Sequence, residues 1–375
     1  MKVLIAFDKF KDALTARAAC EAAAAALRAK HPDWTLDLCP LTDGGEGFTE
    51  TLARDQTERV EHFEVPGPRA RSVTAPVAFV PAAALPAAAR QRLGVSGTVA
   101  VIGLASASGL ELLGAAERNP WHTSTAGTGA LLRHAVAGRA DAILLGLGGS
   151  ATNDLGLGAL AALGLRFIDA FGQAVEPPVP VRWHQIVRVE GRVQLPPLFL
   201  ACDVTNPLLG AKGATVTFGP QKGLPPTDVL ELETRARRVA ELLCDHCEQP
   251  RTLMNTPGTG AAGGIAFGLM VAAGAQLVPG FDLVSDWLDL PTRINAADIV
   301  LTGEGRFDTT SLGGKGPGAL VVAARRKGKT AHVFAGSLGV EADRAHHAIT
   351  PPGLPLAVAL PRTAEFLTAA VNRVL

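Results

Sequence analysis

The chain opens Met1-Lys2-Val3-Leu4-Ile5-Ala6-Phe7-Asp8-Lys9-Phe10-Lys11. Val3–Phe7 is an unbroken apolar run. A short run of this kind, ended abruptly by charge, is the pattern of a strand buried on both faces, as in a parallel sheet. Thr15 is placed to cap an alanine-rich helix that reaches about Lys30, and Pro32 stops it. Leu36–Cys39 is then a second strand. Strand, helix and strand make a βαβ unit, whose crossover is right-handed and whose strands run parallel.

The same grammar recurs down the chain. Apolar runs at Val99–Gly103, Ala142–Gly146, Leu198–Ala201, Asp298–Thr302 and Ala331–Ala335 alternate with helical patterns at Ser124–Ala137, Leu155–Leu163, Val229–Leu243 and Gly316–Arg326. Alternation of this kind is an α/β chain. Its length of 375 residues suits two domains. Pro/Gly-rich joints stand at Val65–Arg69 and Val278–Phe281, and Glu176–Pro180 reads as a loop. The expected architecture is therefore two α/β domains. Residues 1–65 and 285–375 form a discontinuous, Rossmann-like domain with a mostly parallel sheet. Residues 66–284 are inserted as a second α/β domain.

Composition excludes several classes. Thirty-five Lys and Arg balance thirty-five Asp and Glu, so no basic surface is on offer to a phosphate backbone. Aromatics are 5% and Tyr is absent, which leaves little for base stacking. No nucleic-acid partner is expected. The opening apolar run is too short for a signal-peptide core. The longest apolar stretch, Ala261–Val278, is broken by glycines and by Gln276, and reads as a buried helix rather than a membrane span. Five cysteines without a secretion signal point to reduced thiols and a cytoplasmic location. The sequence carries no sign of an oligomeric state.

The strand ends are the informative part. The first delivers Asp8-Lys9-Phe10-Lys11 and the second Asp43-Gly44-Gly45-Glu46-Gly47. Later ones deliver Gly148-Gly149-Ser150-Ala151-Thr152-Asn153-Asp154, then Asp203-Val204-Thr205-Asn206, then Gly303-Glu304-Gly305-Arg306-Phe307-Asp308. A glycine after a strand is often a turn, and an Asp there is often a helix cap. Five such ends rich in carboxylates, cations and hydroxyls also suit a ligand crevice at the carboxyl edge of parallel strands. Carboxylates with hydroxyls bind Mg²⁺. Gly-Gly-Ser-x-Thr at a helix start presents backbone donors to phosphate. Phosphoryl transfer needs mainly positioning and charge neutralisation, so a small-molecule kinase fits. The Gly-x-x-x-x-Gly-Lys-Ser/Thr loop and the protein-kinase signatures are both missing.

At these residues the sequence resembles the bacterial-type (class I) glycerate kinases. The matching motifs begin with Asp8-x-Phe10-Lys11, Asp43-Gly44-Gly45-Glu46-Gly47, Asn119-Pro120 with Thr123–Gly129, and Gly148–Asp154. They continue with Ala201–Leu208, Phe218-Gly219-Pro220-Gln221-Lys222-Gly223, Pro257–Gly264, and Gly303–Asp308 with Gly314-Lys315, in the family's order and over nearly the whole chain. The resemblance implies ATP-dependent phosphorylation of D-glycerate, usually to 2-phosphoglycerate, in a cleft between two α/β domains, with Mg²⁺ as cofactor. The chain departs from the family at Lys9 and Asp12, where Ser and Gly are usual, and at Leu155, where Gly is usual. Thr309 and Thr310 stand near an expected Gln.

The roles that follow are these. Asp8, Lys11, Asp43, Asp203, Glu304 and Arg306 are the catalytic candidates, with Lys11 and Arg306 clamping phosphate or carboxylate. Gly148, Gly149, Ser150, Thr152, Asn153 and Lys315 are the ATP-binding candidates. Asp43, Glu46 and Glu304 are the candidate Mg²⁺ ligands. Two rivals remain. Gly146-x-Gly148-x-x-Ala151, with Asp169 further on, would suit a nicotinamide-dependent oxidoreductase of a small hydroxy acid, and the same fold could serve a non-catalytic small-molecule sensor. Cys244-Asp-His246-Cys247 reads as helix packing, Ser337 as a turn residue, and His346-His347 as exposed.

Overall fold

The structure is a computed structural model that describes residues 1–53, 59–312, 316–340 and 343–375. In chain order the strands are β1 (Lys2–Phe7), β2 (Thr35–Leu38), β3 (Val60–Pro66), β4 (Ser72–Pro81), β5 (Thr98–Gly103), β6 (Ala142–Gly146), a short pair β7 (Arg166–Ile168) and β8 (Arg188–Glu190), β9 (Leu198–Cys202), β10 (Gln276–Pro279), β11 (Ile299–Gly303), β12 (Arg306–Phe307), β13 (Thr330–Ala335), β14 (Ser337–Leu338) and β15 (His346–Ala348). The chain divides into two compact units. The first is Met1–Asp43 with Phe281–Leu375, and the second is Gly44–Gly280.

The first unit is built on a five-stranded sheet, β15-β13-β11-β1-β2, whose neighbours all pair parallel. Val3, Leu4, Ile5, Ala6 and Phe7 are fully buried. Alternate residues serve opposite faces, as the pleat requires. Val3, Ile5 and Phe7 pack with the helices Ala16–Lys30 and Thr363–Val374. Leu4 and Ala6 pack with Leu290 and Ile294 of the helix Leu290–Ala296 and with Leu320 and Val321 of the helix Gly316–Arg326. Thr15 caps the first helix as its sequence suggests, its hydroxyl accepting from the Ala18 N–H at 3.1 Å.

The second unit carries a six-stranded sheet, β10-β9-β6-β5-β4-β3. β10, β9, β6 and β5 run parallel, and β4 and β3 add an antiparallel hairpin at the edge. Its core gathers the helices Ala126–Ala137, Leu157–Ala162, Val229–His246 and Ala261–Ala273 around the sheet.

The chain crosses between units at 43/44 and 280/281, where the sequence reading puts the crossings at 65/66 and 284/285. Pairing explains the earlier first crossing. Val60–Pro66 is the outer strand of the second sheet, hydrogen-bonded along its length to β4. The helix Phe48–Ala53 buries Phe48 and Leu52 in the same unit. Val65–Arg69 is therefore the start of a hairpin turn and not an interdomain joint. The Ala261–Val278 stretch also differs from expectation. Its helix ends at Ala273, Gly274 turns the chain in the left-handed region, and β10 follows.

Candidate active site

In the first unit the carboxyl ends of β1 and β11, and the turn after β2, bring three of the expected residues, Asp8, Asp43 and Glu304, into one electrostatic group. Asp8 closes β1 and is 6% exposed, and its Oδ1 accepts the Lys9 N–H at 2.7 Å. Among the described residues nothing donates to its Oδ2. Burial, then the nearby Asp43 carboxylate, pushes the Asp8 carboxyl up to about 7, with Lys9 opposing. Asp43 sits half-exposed with the Lys9 ammonium 3.1 Å from its Oδ1. Glu304 follows β11. Burial pushes its carboxyl up to about 6, helped by Asp43 and Asp308 and opposed by the Ser311 hydroxyl that donates to it. Among the described residues its Oε1 is buried without a hydrogen-bond partner. Arg306 is exposed, its Nε 3.3 Å from the Asp308 carboxylate, and Lys11 is exposed on the turn after β1.

Crowded carboxylates and an orphaned buried carboxylate oxygen are a donor set for a hard cation. Mg²⁺ is commonly held by one or two carboxylates, with water and substrate phosphates completing its shell, and Asp43 and Glu304 fit that pattern. Among the described residues no three His, Cys, Asp or Glu side chains are spaced to hold an ion by themselves. Glu46, the third expected ligand, belongs to the second unit.

In the second unit two motifs remote in sequence are packed backbone to backbone. Gly148 donates its N–H to the Gly44 carbonyl at 2.8 Å. A Cβ at Gly148 would lie 2.5 Å from Gly45 N and 2.6 Å from Gly45 Cα. A Cβ at Gly149, whose φ is +72°, would lie 2.2 Å from Glu46 Oε1. The glycines of Gly44–Gly47 and Gly148-Gly149 thus let two strand-end loops touch and seat the Glu46 carboxylate against the second loop. Asp203 follows β9 beside Gly280, where a Cβ would come within 2.9 Å of its carboxylate.

The loop after β6 is unusually polar for its burial. Ser150, Thr152, Asn153 and Asp154 are 8%, 0%, 2% and 0% exposed. Asp154 is a fastener. Its carboxylate accepts from the Thr125 N–H and hydroxyl, both at 2.8 Å, and from the Gly156 and Gly158 N–H groups. Asn153 donates its amide to Thr215, while Asn153 Oδ1 and Thr152 Oγ1 are buried without partners among the described residues. Lys222, which sequence reasoning quotes in a motif but gives no role, donates to Ser150 Oγ at 2.9 Å and to the Thr152 carbonyl at 2.6 Å. Its only prior signal is a lysine between two glycines of a Pro-Gln-Lys turn that follows no amphipathic pattern. Lys315 lies outside the described residues.

Two departures from the family pattern now have a physical reading. Asp12 and Leu155, both in places where glycine is usual, adopt left-handed backbone at φ +60° and +53°. Glycine occupies that region without steric cost, Asp tolerates it, and Leu is strained there.

The rival readings weaken against the geometry. Asp169 is a turn residue, its carboxylate accepting from the Phe171 and Gln173 N–H groups, and the helix after β6 begins only at Leu157. Cys244 is buried in the core of the helix Val229–His246. His346 and His347, expected at the surface, are half-buried in β15, with His347 packed on Phe334.

Residues 3–375 match the glycerate kinase family, which makes the chain a phosphotransferase with an alcohol acceptor. It is 36% identical to the glycerate kinase of Halalkalibacterium halodurans over 343 residues, 90% of this chain and 86% of that one. It is 35% identical to the glycerate 2-kinase of Escherichia coli over 344 residues, again 90% and 86%. A crystal structure from Salmonella typhimurium LT2 assigned to glycerate kinase 2 superposes with a TM-score of 0.78 at 35% identity, over 100% of this chain and 97% of that one. The chain belongs to the glycerate kinase family and is a glycerate kinase.

Proposed function

We propose that the protein transfers the terminal phosphate of ATP to D-glycerate in the cytoplasm, giving 2-phosphoglycerate, with Mg²⁺ held by Asp43 and Glu304 and completed by water and substrate phosphate oxygens. The match over residues 3–375 carries the reading. The E. coli relative named glycerate 2-kinase supports the regiochemistry. The donor set around Glu304, with its orphaned buried oxygen, supports the cation.

In the proposed reaction a glycerate hydroxyl oxygen bonds to the terminal phosphorus, the bond from that phosphorus to the ADP oxygen breaks, and the hydroxyl proton passes to Asp8 Oδ2. Asp8 is preferred to Asp203 as base because it is buried at a strand end with one oxygen already fixed by Lys9 N–H and the other without a donor among the described residues. Bound Mg²⁺ would neutralise charge on the transferring phosphate. Gly148, Gly149, Ser150, Thr152 and Asn153 receive nucleotide phosphates, with Lys315 as a further cation. Lys11 and Arg306, exposed and cationic, clamp phosphate or the glycerate carboxylate.

The test is ADP release from ATP, Mg²⁺ and D-glycerate, followed by ³¹P NMR of the product. A 2-phosphoglycerate resonance is expected. A 3-phosphoglycerate resonance overturns the regiochemistry, and ADP release that does not depend on glycerate overturns the substrate.

A further inference from the structure

Lys222 is 1% exposed. Lysine is almost never buried to that degree unless it is paired. Among the described residues its ammonium forms no ion pair. Asp154 acts on it only at a distance, and the Asp154 oxygens already accept from Thr125, Gly156 and Gly158. Burial pulls the amine down to about 7, so keeping it charged in this site is costly without an anion beside it. A neutral donor would tie the same loop without that penalty, which points to an anion that arrives with the substrate.

The hydrogen bonds say where. Lys222 Nζ donates to Ser150 Oγ and to the Thr152 carbonyl. An ammonium has only protons to give. In the ammonium form, which an arriving anion favours, Ser150 Oγ accepts and its own proton is left to donate elsewhere. Among the described residues no acceptor takes it. We infer that Lys222 is a positioning residue: it fixes the Ser150 hydroxyl as a donor to an oxyanion of the substrate pair and supplies the loop Gly148–Asn153 with a buried positive charge. The inference rests on the reading that this loop receives the phosphates of ATP. The glycerate carboxylate has the same oxyanion chemistry, and the test separates the two.

The experiment uses the full chain as wild type, Lys222→Met, Ser150→Ala and the double variant. Titration calorimetry gives the affinity for ADP and for D-glycerate separately, steady-state kinetics give kcat and each KM, and urea midpoints report folding. Lys222→Met is expected to weaken ADP at least tenfold and to leave D-glycerate within twofold. The double variant is expected to be no weaker than Lys222→Met alone, because Ser150 acts through the lysine. A folded Lys222→Met that binds both ligands like wild type, or loses both in step with stability, overturns the inference. Loss on D-glycerate alone keeps the positioning role and overturns the nucleotide assignment of the loop. If Lys222→Met does not fold, Ser150→Ala decides: wild-type affinity for both ligands overturns the inference.

Discussion

Asp8 carries two opposed demands. Its carboxyl is buried beside Asp43 and Glu304, so ionising it sets like charges together in a poorly solvated place. Asp8→Asn removes that repulsion and with it the proposed base. Its kcat is expected to fall by about 10²–10⁴ while its urea midpoint at pH 8 rises above wild type. A midpoint below wild type with kcat intact would contradict both halves of the assignment. Asp12 and Leu155 show strain of another kind. Asp12 is exposed, so Asp12→Gly relieves its left-handed backbone and removes no packing. A gain of up to about 1 kcal/mol is expected in urea unfolding. Leu155 is buried, 1% exposed, and Leu155→Gly would exchange the strain for a cavity. These two sites were visible in sequence as departures from a pattern, but only the dihedral angles show what the pattern was for.

At the scale of elements, a site residue is placed by the end of a strand and by what lets the next loop approach. Apolar runs marked β1, β5, β6, β9, β11 and β13 in the sequence because strands covered on both faces need them. The hairpin β3–β4 escaped that criterion. In Val60-Glu61-His62-Phe63-Glu64-Val65 only the last three residues alternate in polarity, yet burial alternates throughout, with residues 60, 62 and 64 exposed, the mark of an edge strand with one solvated face. β15 escaped for lack of any apolar run. The glycines after strands were legible as turns, yet their partners were not. Gly148→Ala puts a methyl group against the Gly44-Gly45 backbone on a face that has no flexible side chain to yield. A loss of about 1–3 kcal/mol is expected, with kcat falling as the Glu46 loop is displaced. An unchanged urea midpoint and kcat would show that the two loops do not need their close contact.

Across the whole molecule, acid response separates the core from the site. His332, His346 and His347 lie together at the β13–β15 edge, with His332 Nδ1 3.1 Å from His347 Nε2. Burial, then the neighbouring His332, pushes His347 down to about 4, and burial lowers His332 and His346 as well. Above about pH 6.5 these rings are neutral whether the chain is folded or not. Between about 6.5 and 4 the unfolded chain takes up protons that the folded His347 refuses, so stability falls as pH falls through that window. Asp8 and Glu304, whose carboxyls are pushed up, oppose this in both proteins, so from pH 7.5 to 5.0 the urea midpoint of wild type should fall relative to that of His347→Gln. Equal losses in the two proteins would assign the acid sensitivity elsewhere.

The sequence by itself determined the α/β alternation, seven of the fifteen strands of the described residues and the family, because these are written in local periodicity and in contiguous motifs. It also named Asp8, Asp43, Glu304 and the Ser150–Asn153 loop, since each stands at the end of an apolar run. Only the tertiary structure decided that the chain crosses between units at 43/44, that Asp8 and Glu304 share one field, and that Lys222 reaches Ser150 across 72 positions of chain. Pairing, burial and mutual repulsion depend on distances in space, and no local pattern of residues encodes those distances.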